Sequence, residues 1–245
     1  MTINTNSIII WDFDGTIVDT SNKNYQVTQR IVTKISGKPI QSFPSLNSLT
    51  DYRTANSRNQ NWRLLYKNEF NLNESEIDQA GRLWTEYQFA DDTSPTIMNG
   101  LDTTLKNLSG ISQGIVSQNS KDNIITILAT LGIGHYFWAI IGYEEVGLDR
   151  QKPNPDGFLT CVKRLRTKNT SRIYSVGDHE TDVLFANNAR KYLNQAESPI
   201  DIITIGVNYN HGLMDWNHMP GHMVTRPEDC ASIILQKDLH SNNRF

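Results

Sequence analysis

The sequence predicts an α/β protein: a parallel sheet core with helices on both faces, carrying an inserted helical domain. Three observations point there. From Gly100 onward, short apolar strand-like runs alternate with helical stripes, a pattern that builds a parallel sheet covered by helices. Near the N-terminus Ile8-Ile9-Ile10-Trp11 is apolar without alternation, as expected of a strand buried on both faces. Between these regions, from about Ser21 to Asp92, no convincing strand occurs and several amphipathic helical patterns follow one another.

The elements can be taken in order. Ile8 to Phe13 reads as the first strand and stops where Asp12 and Asp14 begin. Gly15 permits a turn away from the sheet, and Thr16 offers a hydroxyl and a backbone N–H to an anion. In the helical stretch Val27, Ile31, Val32 and Ile35 share a face, Trp62, Leu65 and Tyr66 share another, and Ile77, Ala80, Trp84 and Tyr87 a third. These aromatics are expected to form the core of the insertion. Its borders, Asp19-Thr20-Ser21-Asn22 and Asp91-Asp92-Thr93-Ser94-Pro95, have hinge-like composition. The division expected is therefore a core of residues 1–20 and 95–245 with a helical domain of residues 21–94.

Beyond the insertion, a helix over Asp102 to Leu108 leads to a strand from Gly114 to Ser117. A helix from Lys121 to Leu131 precedes a strand from Trp138 to Gly142. Asn154-Pro155 caps and starts a helix whose Phe158, Cys161, Val162 and Leu165 form a stripe. A strand from Arg172 to Val176, a helix from Asp182 to Lys191 and a strand from Asp201 to Val207 come next. Thr225-Arg226-Pro227-Glu228 has capping-box spacing before a last helix.

Composition narrows the function. A net charge of −3 over 245 residues, with no sustained charge run, gives no electrostatic footprint for nucleic acid or an anionic membrane. No segment approaches the ~20 apolar residues that span a bilayer, and the start of the chain has no targeting signature. A cytoplasmic protein with a small-molecule partner is expected. The two cysteines, Cys161 and Cys230, are expected to be reduced and structural.

In a parallel sheet the residues just past the strand ends gather at one edge, where ligands bind. Asp12 and Asp14 follow the first strand, and Ser117-Gln118-Asn119 the second. Gln151-Lys152-Pro153-Asn154-Pro155 lies downstream of the third, and Gly177-Asp178-His179-Glu180-Thr181-Asp182 follows the fourth. These four elements in this order, DFDGT, a strand ending in Ser117, KPNP and GDxxxD, resemble the four motifs of the haloacid dehalogenase-like superfamily. The insertion resembles the alpha-helical cap of its phosphoglycolate phosphatase and beta-phosphoglucomutase-like members, and the resemblance covers nearly the whole chain.

The resemblance implies a Rossmann-like core and a phosphatase acting on a small phosphorylated metabolite, with phosphoglycolate as the family-level expectation. It implies Asp12 as nucleophile, forming an aspartyl phosphate, and Asp14 as the acid that protonates the leaving oxygen and then activates water. Lys152 would neutralise phosphate charge and hold Asp12. Ser117, Asn119, Gln118, Thr16 and the backbone N–H groups through Gly15 would bind the remaining phosphate oxygens. So many acids at one edge would repel one another without a cation. Mg²⁺, which prefers oxygen ligands, suits Asp12, the Asp14 carbonyl and Asp178, with Asp182 nearby or acting through water. A phosphomutase of the beta-phosphoglucomutase type, or a catalytically idle phospho-ligand binder on the same fold, would share these motifs. Dehalogenation would need neither the second acid nor the metal.

Other residues carry blander expectations. His179 has no role in this reading. His211, His218 and His222 are expected to be loop histidines rather than a zinc site, since Pro220-Gly221 would break a helix aligning them. Arg53, Arg58 and Lys67 of the insertion are expected to be surface charges rather than contacts to a leaving group.

Overall fold

The computed structural model describes residues 6–59, 61–194, 200–209 and 216–242, so His211 lies outside the described residues. The chain divides into two compact units, residues 1–18 with 97–245, and residues 19–96.

In chain order the first unit begins with β1 (Ser7–Trp11), and the chain leaves it through β2 (Val18–Asp19). The second unit holds α1 (Ser21–Ser36), two short 3-10 turns, α2 (Leu49–Ser57), α3 (Trp62–Phe70) and α4 (Glu74–Phe89), and the chain returns along β3 (Thr96–Ile97), which pairs with β2. Then follow α5 (Leu101–Asn107), β4 (Ser112–Val116), α6 (Lys121–Thr130), β5 (Phe137–Ile141), α7 (Asp156–Leu165), β6 (Arg172–Gly177), α8 (Glu180–Leu193), β7 (Asp201–Val207), β8 (His222–Val224) and α9 (Pro227–Asn242).

Six strands form one sheet in the order β5-β4-β1-β6-β7-β8, and every neighbouring pair is parallel. β1 lies inside the sheet, paired to β4 on one side and β6 on the other, which is why its sequence is apolar from Ile8 to Trp11. Its side chains alternate between two cores. Ile9 and Trp11 join Leu101, Leu105, Ile124, Leu128, Cys230 and Ile234 from α5, α6 and α9 on one face. Ile8 and Ile10 join Phe158, Cys161, Val162, Phe185 and Ala189 from α7 and α8 on the other. Full burial of each such side chain contributes about 1.5–3 kcal/mol. Cys161 and Cys230 are both free and buried.

The helical unit has its own core, with Val27, Ile31, Phe43, Leu46, Tyr52, Leu65, Tyr66, Phe70 and Ile77 buried together and Trp62, Trp84 and Tyr87 packed against them. Its helix ends follow the sequence. Ser48, Asn61 and Asn73 each accept a backbone N–H as N-cap, and Asn73 with Glu76 forms a capping box. Asn71, in the left-handed conformation, ends α3. α2 escapes the sequence reading because Tyr52 and Ala55 are the only buried positions in a nine-residue polar helix.

Two further differences from the sequence reading have simple causes. β4 starts two residues earlier than its apolar run, because buried Gln113 is a strand residue whose amide oxygen accepts from the Trp11 indole at 2.8 Å. α8 starts at Glu180 rather than Asp182, because His179 caps it. Among the described residues no helix is long and apolar enough to cross a membrane.

Candidate active site

The parallel register puts the C-terminal ends of β1, β4 and β6 side by side, and their following loops carry the predicted groups. Asp12 is pinned at once: its N–H donates to the Val176 carbonyl at 2.8 Å, tying the β1 end to β6. Lys152 reaches the same place from the long connection between β5 and α7. Its Nζ donates to Asp12 Oδ1 at 2.6 Å and to Asp182 Oδ1 at 2.7 Å, with its side chain only 6% exposed. A buried ammonium therefore bridges two carboxylates from different elements, and its charge-assisted bonds are short, as expected of ionised partners.

Asp178 and Asp182 both lie beside Asp12: one carboxylate oxygen from each of the three sits within 4.8 Å of the others. Asp182 has two tasks. Its Oδ1 takes the Lys152 ammonium, while its Oδ2 accepts the His179 N–H at 3.2 Å and so closes a capping box on α8. The helix cap and the site acid are one side chain. His179 supplies the other half of that cap, its Nδ1 accepting the Thr181 N–H at 3.2 Å, which gives this residue a structural role that the sequence did not suggest.

The groups expected to bind phosphate are placed less uniformly. Ser117 Oγ and Asn119 Nδ2 lie 3.4 and 3.3 Å from Asp14 Oδ2, so both address the second acid. Asn119 is held in turn, its Oδ1 accepting from the Ser120 N–H and from Asn123 Nδ2. Gln118 does not join them: its amide donates to the Lys152 carbonyl at 3.0 Å. Thr16 is fully buried with its hydroxyl 3.5 Å from Asp178 Oδ1. The expectation that the Gly15 N–H is offered to an anion is corrected, because it donates to the Val18 carbonyl at 2.8 Å and closes the turn. What Gly15 contributes is conformation and space. It has φ +81°, and a Cβ there would overlap the Asp178 carboxylate. Gly177 is similarly required, since a Cβ would collide with the Asp182 side chain.

Electrostatics follow from the crowding. Burial raises Asp12 to about 7 against the pull of Lys152, with Asp182 and Asp14 adding repulsion. Asp178 sits exposed at the rim yet stands well above the ordinary carboxylate value, first through desolvation by the surrounding protein and then through repulsion from Asp12 and Asp182. Burial would lower Lys152, but Asp12 and Asp182 outweigh it and hold the ammonium above its usual range. Asp12, Asp178 and Asp182 thus crowd around the Lys152 ammonium, with Asp14 adding its charge to theirs, and every acidic donor in the cluster is an oxygen. That set suits a hard divalent cation such as Mg²⁺ and not a thiolate- or imidazole-seeking metal.

The predicted cations of the helical unit are paired within it. Arg58 makes two bonds to Glu69, Lys67 pairs with Glu74 at 3.2 Å, and Arg53 with Asp19 at 3.2 Å. His218 is a loop residue whose N–H donates to buried Glu180 at 2.8 Å, and His222 begins β8.

Comparison with known proteins agrees with this arrangement. Residues 9–191 match the family described as haloacid dehalogenase-like hydrolase. The chain is 26% identical to a fructose-1-phosphate phosphatase of Escherichia coli, over 66% of this chain and 81% of that protein. It is 24% identical to a phosphoglycolate phosphatase of Pseudomonas fluorescens, over 84% of this chain and 71% of that one. Its fold matches a crystal structure from Haemophilus somnus described as a predicted phosphoglycolate phosphatase. There the TM-score is 0.70 at 18% identity, covering 94% of this chain and 99% of the other.

Proposed function

The chain belongs to the haloacid dehalogenase-like hydrolases and is a phosphatase among them, and we propose that it hydrolyses a small phosphorylated metabolite with Mg²⁺, through an aspartyl phosphate on Asp12. The observation that carries this reading is the Lys152 ammonium held between Asp12 and Asp182 at the mouth of the parallel sheet. A phosphate monoester repels nucleophiles by its own charge, so catalysis needs a fixed anionic nucleophile surrounded by compensating positive charge.

Asp12 is fixed by its own N–H and by Lys152 on Oδ1, which leaves Oδ2 to attack phosphorus. As the new bond forms, the bond from phosphorus to the leaving oxygen breaks, and Asp14 gives that oxygen a proton. Asp14, now a carboxylate, then takes a proton from the water that attacks the phosphorus of the aspartyl phosphate. Inorganic phosphate leaves and Asp12 is regenerated. Ser117 and Asn119 hold Asp14 in place for both transfers. Asp12, Asp178 and the Asp14 carbonyl, with Asp182 beside them, would hold Mg²⁺, which supplies positive charge against the phosphoryl oxygens and the acids. Phosphoglycolate and fructose 1-phosphate are the first substrates to try, since relatives of this chain act on them by name.

The test measures inorganic phosphate released from a panel of phosphomonoesters, with and without Mg²⁺, by the wild type and Asp12→Asn. Release is expected to need Mg²⁺ and to fall about a thousandfold or more in Asp12→Asn. Acid-quenched wild type is expected to carry phosphate on Asp12. Turnover that survives the substitution would sink the nucleophile, and a sugar phosphate whose phosphate migrates without release would mark a mutase.

A further inference from the structure

Lys152 is the only cation bonded to the Asp12 side chain among the described residues, yet it arrives on a segment without sheet support. Between β5 and α7 the chain has only two 3-10 turns, Tyr143–Glu145 and Leu148–Arg150. A lysine side chain has four rotatable bonds, so an ammonium can be placed accurately only if its backbone is placed first.

Two side-chain amides do that placing. Gln118 Nε2, from the loop after β4, donates to the Lys152 carbonyl at 3.0 Å. Asn188 Nδ2, from α8, donates to the next carbonyl, that of Pro153, also at 3.0 Å. These consecutive carbonyls precede α7 and pair with no strand. The α8 contact belongs to a longer arrangement. Asp182, Phe185 and Asn188 recur every three residues and share one helix face. Asp182 takes the ammonium, the Phe185 ring lies 5.4 Å from it, and Asn188 takes the backbone. Phe185 is itself locked edge-on against Phe158. One face of α8 thus registers both ends of the lysine, while Gln118 fixes it from the loop after β4.

We infer that Gln118 and Asn188 are positioning residues for Lys152: together they clamp the Lys152–Pro153 backbone so that the ammonium stays shared between Asp12 and Asp182. The kinetic consequence rests on the proposed phosphatase reading; the clamp itself does not. Neither amide bonds to a carboxylate of the site, so removing either should spare the metal-binding acids while loosening the lysine.

Gln118→Leu, Asn188→Leu and the double variant test this, because leucine keeps much of the volume and removes the donor. Two readouts are needed. In the first, metal-free protein is pulsed with an amine-acetylating reagent and each lysine is followed by mass spectrometry. Lys152 in the double variant is expected to label about tenfold faster than in wild type, as local opening of one segment predicts. Lys23, equally buried but in the helical unit, should label at an unchanged rate. In the second, kcat for a phosphomonoester with Mg²⁺ should fall about tenfold in each single variant and up to about a hundredfold in the double, with KM within about threefold, as slight misplacement of a catalytic group predicts.

Unchanged Lys152 labelling in the double variant overturns the clamp. So does a rise shared by Lys23, which would mean general loosening. Faster Lys152 labelling with unaltered kcat in an active enzyme overturns the positioning role. If wild type releases no phosphate from any substrate, the phosphatase reading fails, and the labelling experiment alone decides the clamp.

Discussion

Raising the pH of metal-free protein from 5 to 8 should destabilise the sheet-bearing unit, and the size of the effect can be worked from Asp12. Its carboxyl is held at about 7 in the folded chain, mainly by burial, against 3.8 as the ordinary value. A group whose folded value is raised binds its proton more tightly in the native state, so stability falls as pH rises between the unfolded and folded values. At 1.36 kcal/mol per unit, the interval from pH 5 to about 7 amounts to about 2–3 kcal/mol, and little more is lost by pH 8. Asp178 is shifted in the same direction and adds to the loss. For a unit of this size, about 2–3 kcal/mol corresponds to a fall in Tm of about 5–10 °C. On the proposed reading the ionised acids hold Mg²⁺, so saturating metal should restore most of the loss at pH 8 and little at pH 5. The assay is calorimetric melting of chelator-treated protein at both pH values, with and without Mg²⁺, for wild type and Asp12→Asn. The variant cannot titrate at this position and should show a flatter profile, which assigns the slope to Asp12. A wild-type Tm that rises or stays level from pH 5 to 8, or the same slope in Asp12→Asn, would refute the reasoning.

Two substitutions probe other parts of the argument. Gly15→Ala places a methyl group into the Asp178 carboxylate at a residue with φ +81°; the fold should persist while Mg²⁺ affinity, measured by titration calorimetry, weakens about tenfold or more, as for other displaced ligands. Glu69→Gln breaks the Arg58 pair in the helical unit and weakens contacts to Ser45 and Asn59, and urea unfolding should show about 1–3 kcal/mol lost. Because Arg58 above all holds the Glu69 carboxyl down to about 2, its contribution is present above pH ~4.5 and lost below it, so acid unfolding should be less steep in the variant.

The parts of the fold legible in the sequence are those where one physical signal dominates. Ile8 to Trp11 could only be a strand buried on both faces, and Phe158, Cys161, Val162 and Leu165 show their helical stripe directly. β8 carries no such signal: three residues after Pro220-Gly221, one of them histidine, do not announce a strand that β7 recruits by register. The site divides in the same way. Asp12, Lys152, Asp178 and Asp182 could be collected at one edge because parallel topology fixes where strand ends lie. The contacts of Gln118, Asn188 and Gly15 were not legible. A side-chain amide on a distant carbonyl leaves no periodicity, and whether a turn N–H faces a ligand or its own turn depends on a few degrees of backbone rotation. His179 illustrates the same limit, since its capping role depends on α8 beginning one residue after it.

The buried side chains of the helical unit form a cluster that shares no residue with either layer of the sheet-bearing unit. Sequence drift in that cluster can therefore proceed without disturbing the packing beneath Asp12. Such a molecule can be regarded as two separately packed pieces: residues 19–96 can change their interior while the acids and the lysine stay where they are. Exchanging that stretch at the β2–β3 ribbon, where the chain leaves and returns, is the cut that the packing of this molecule invites.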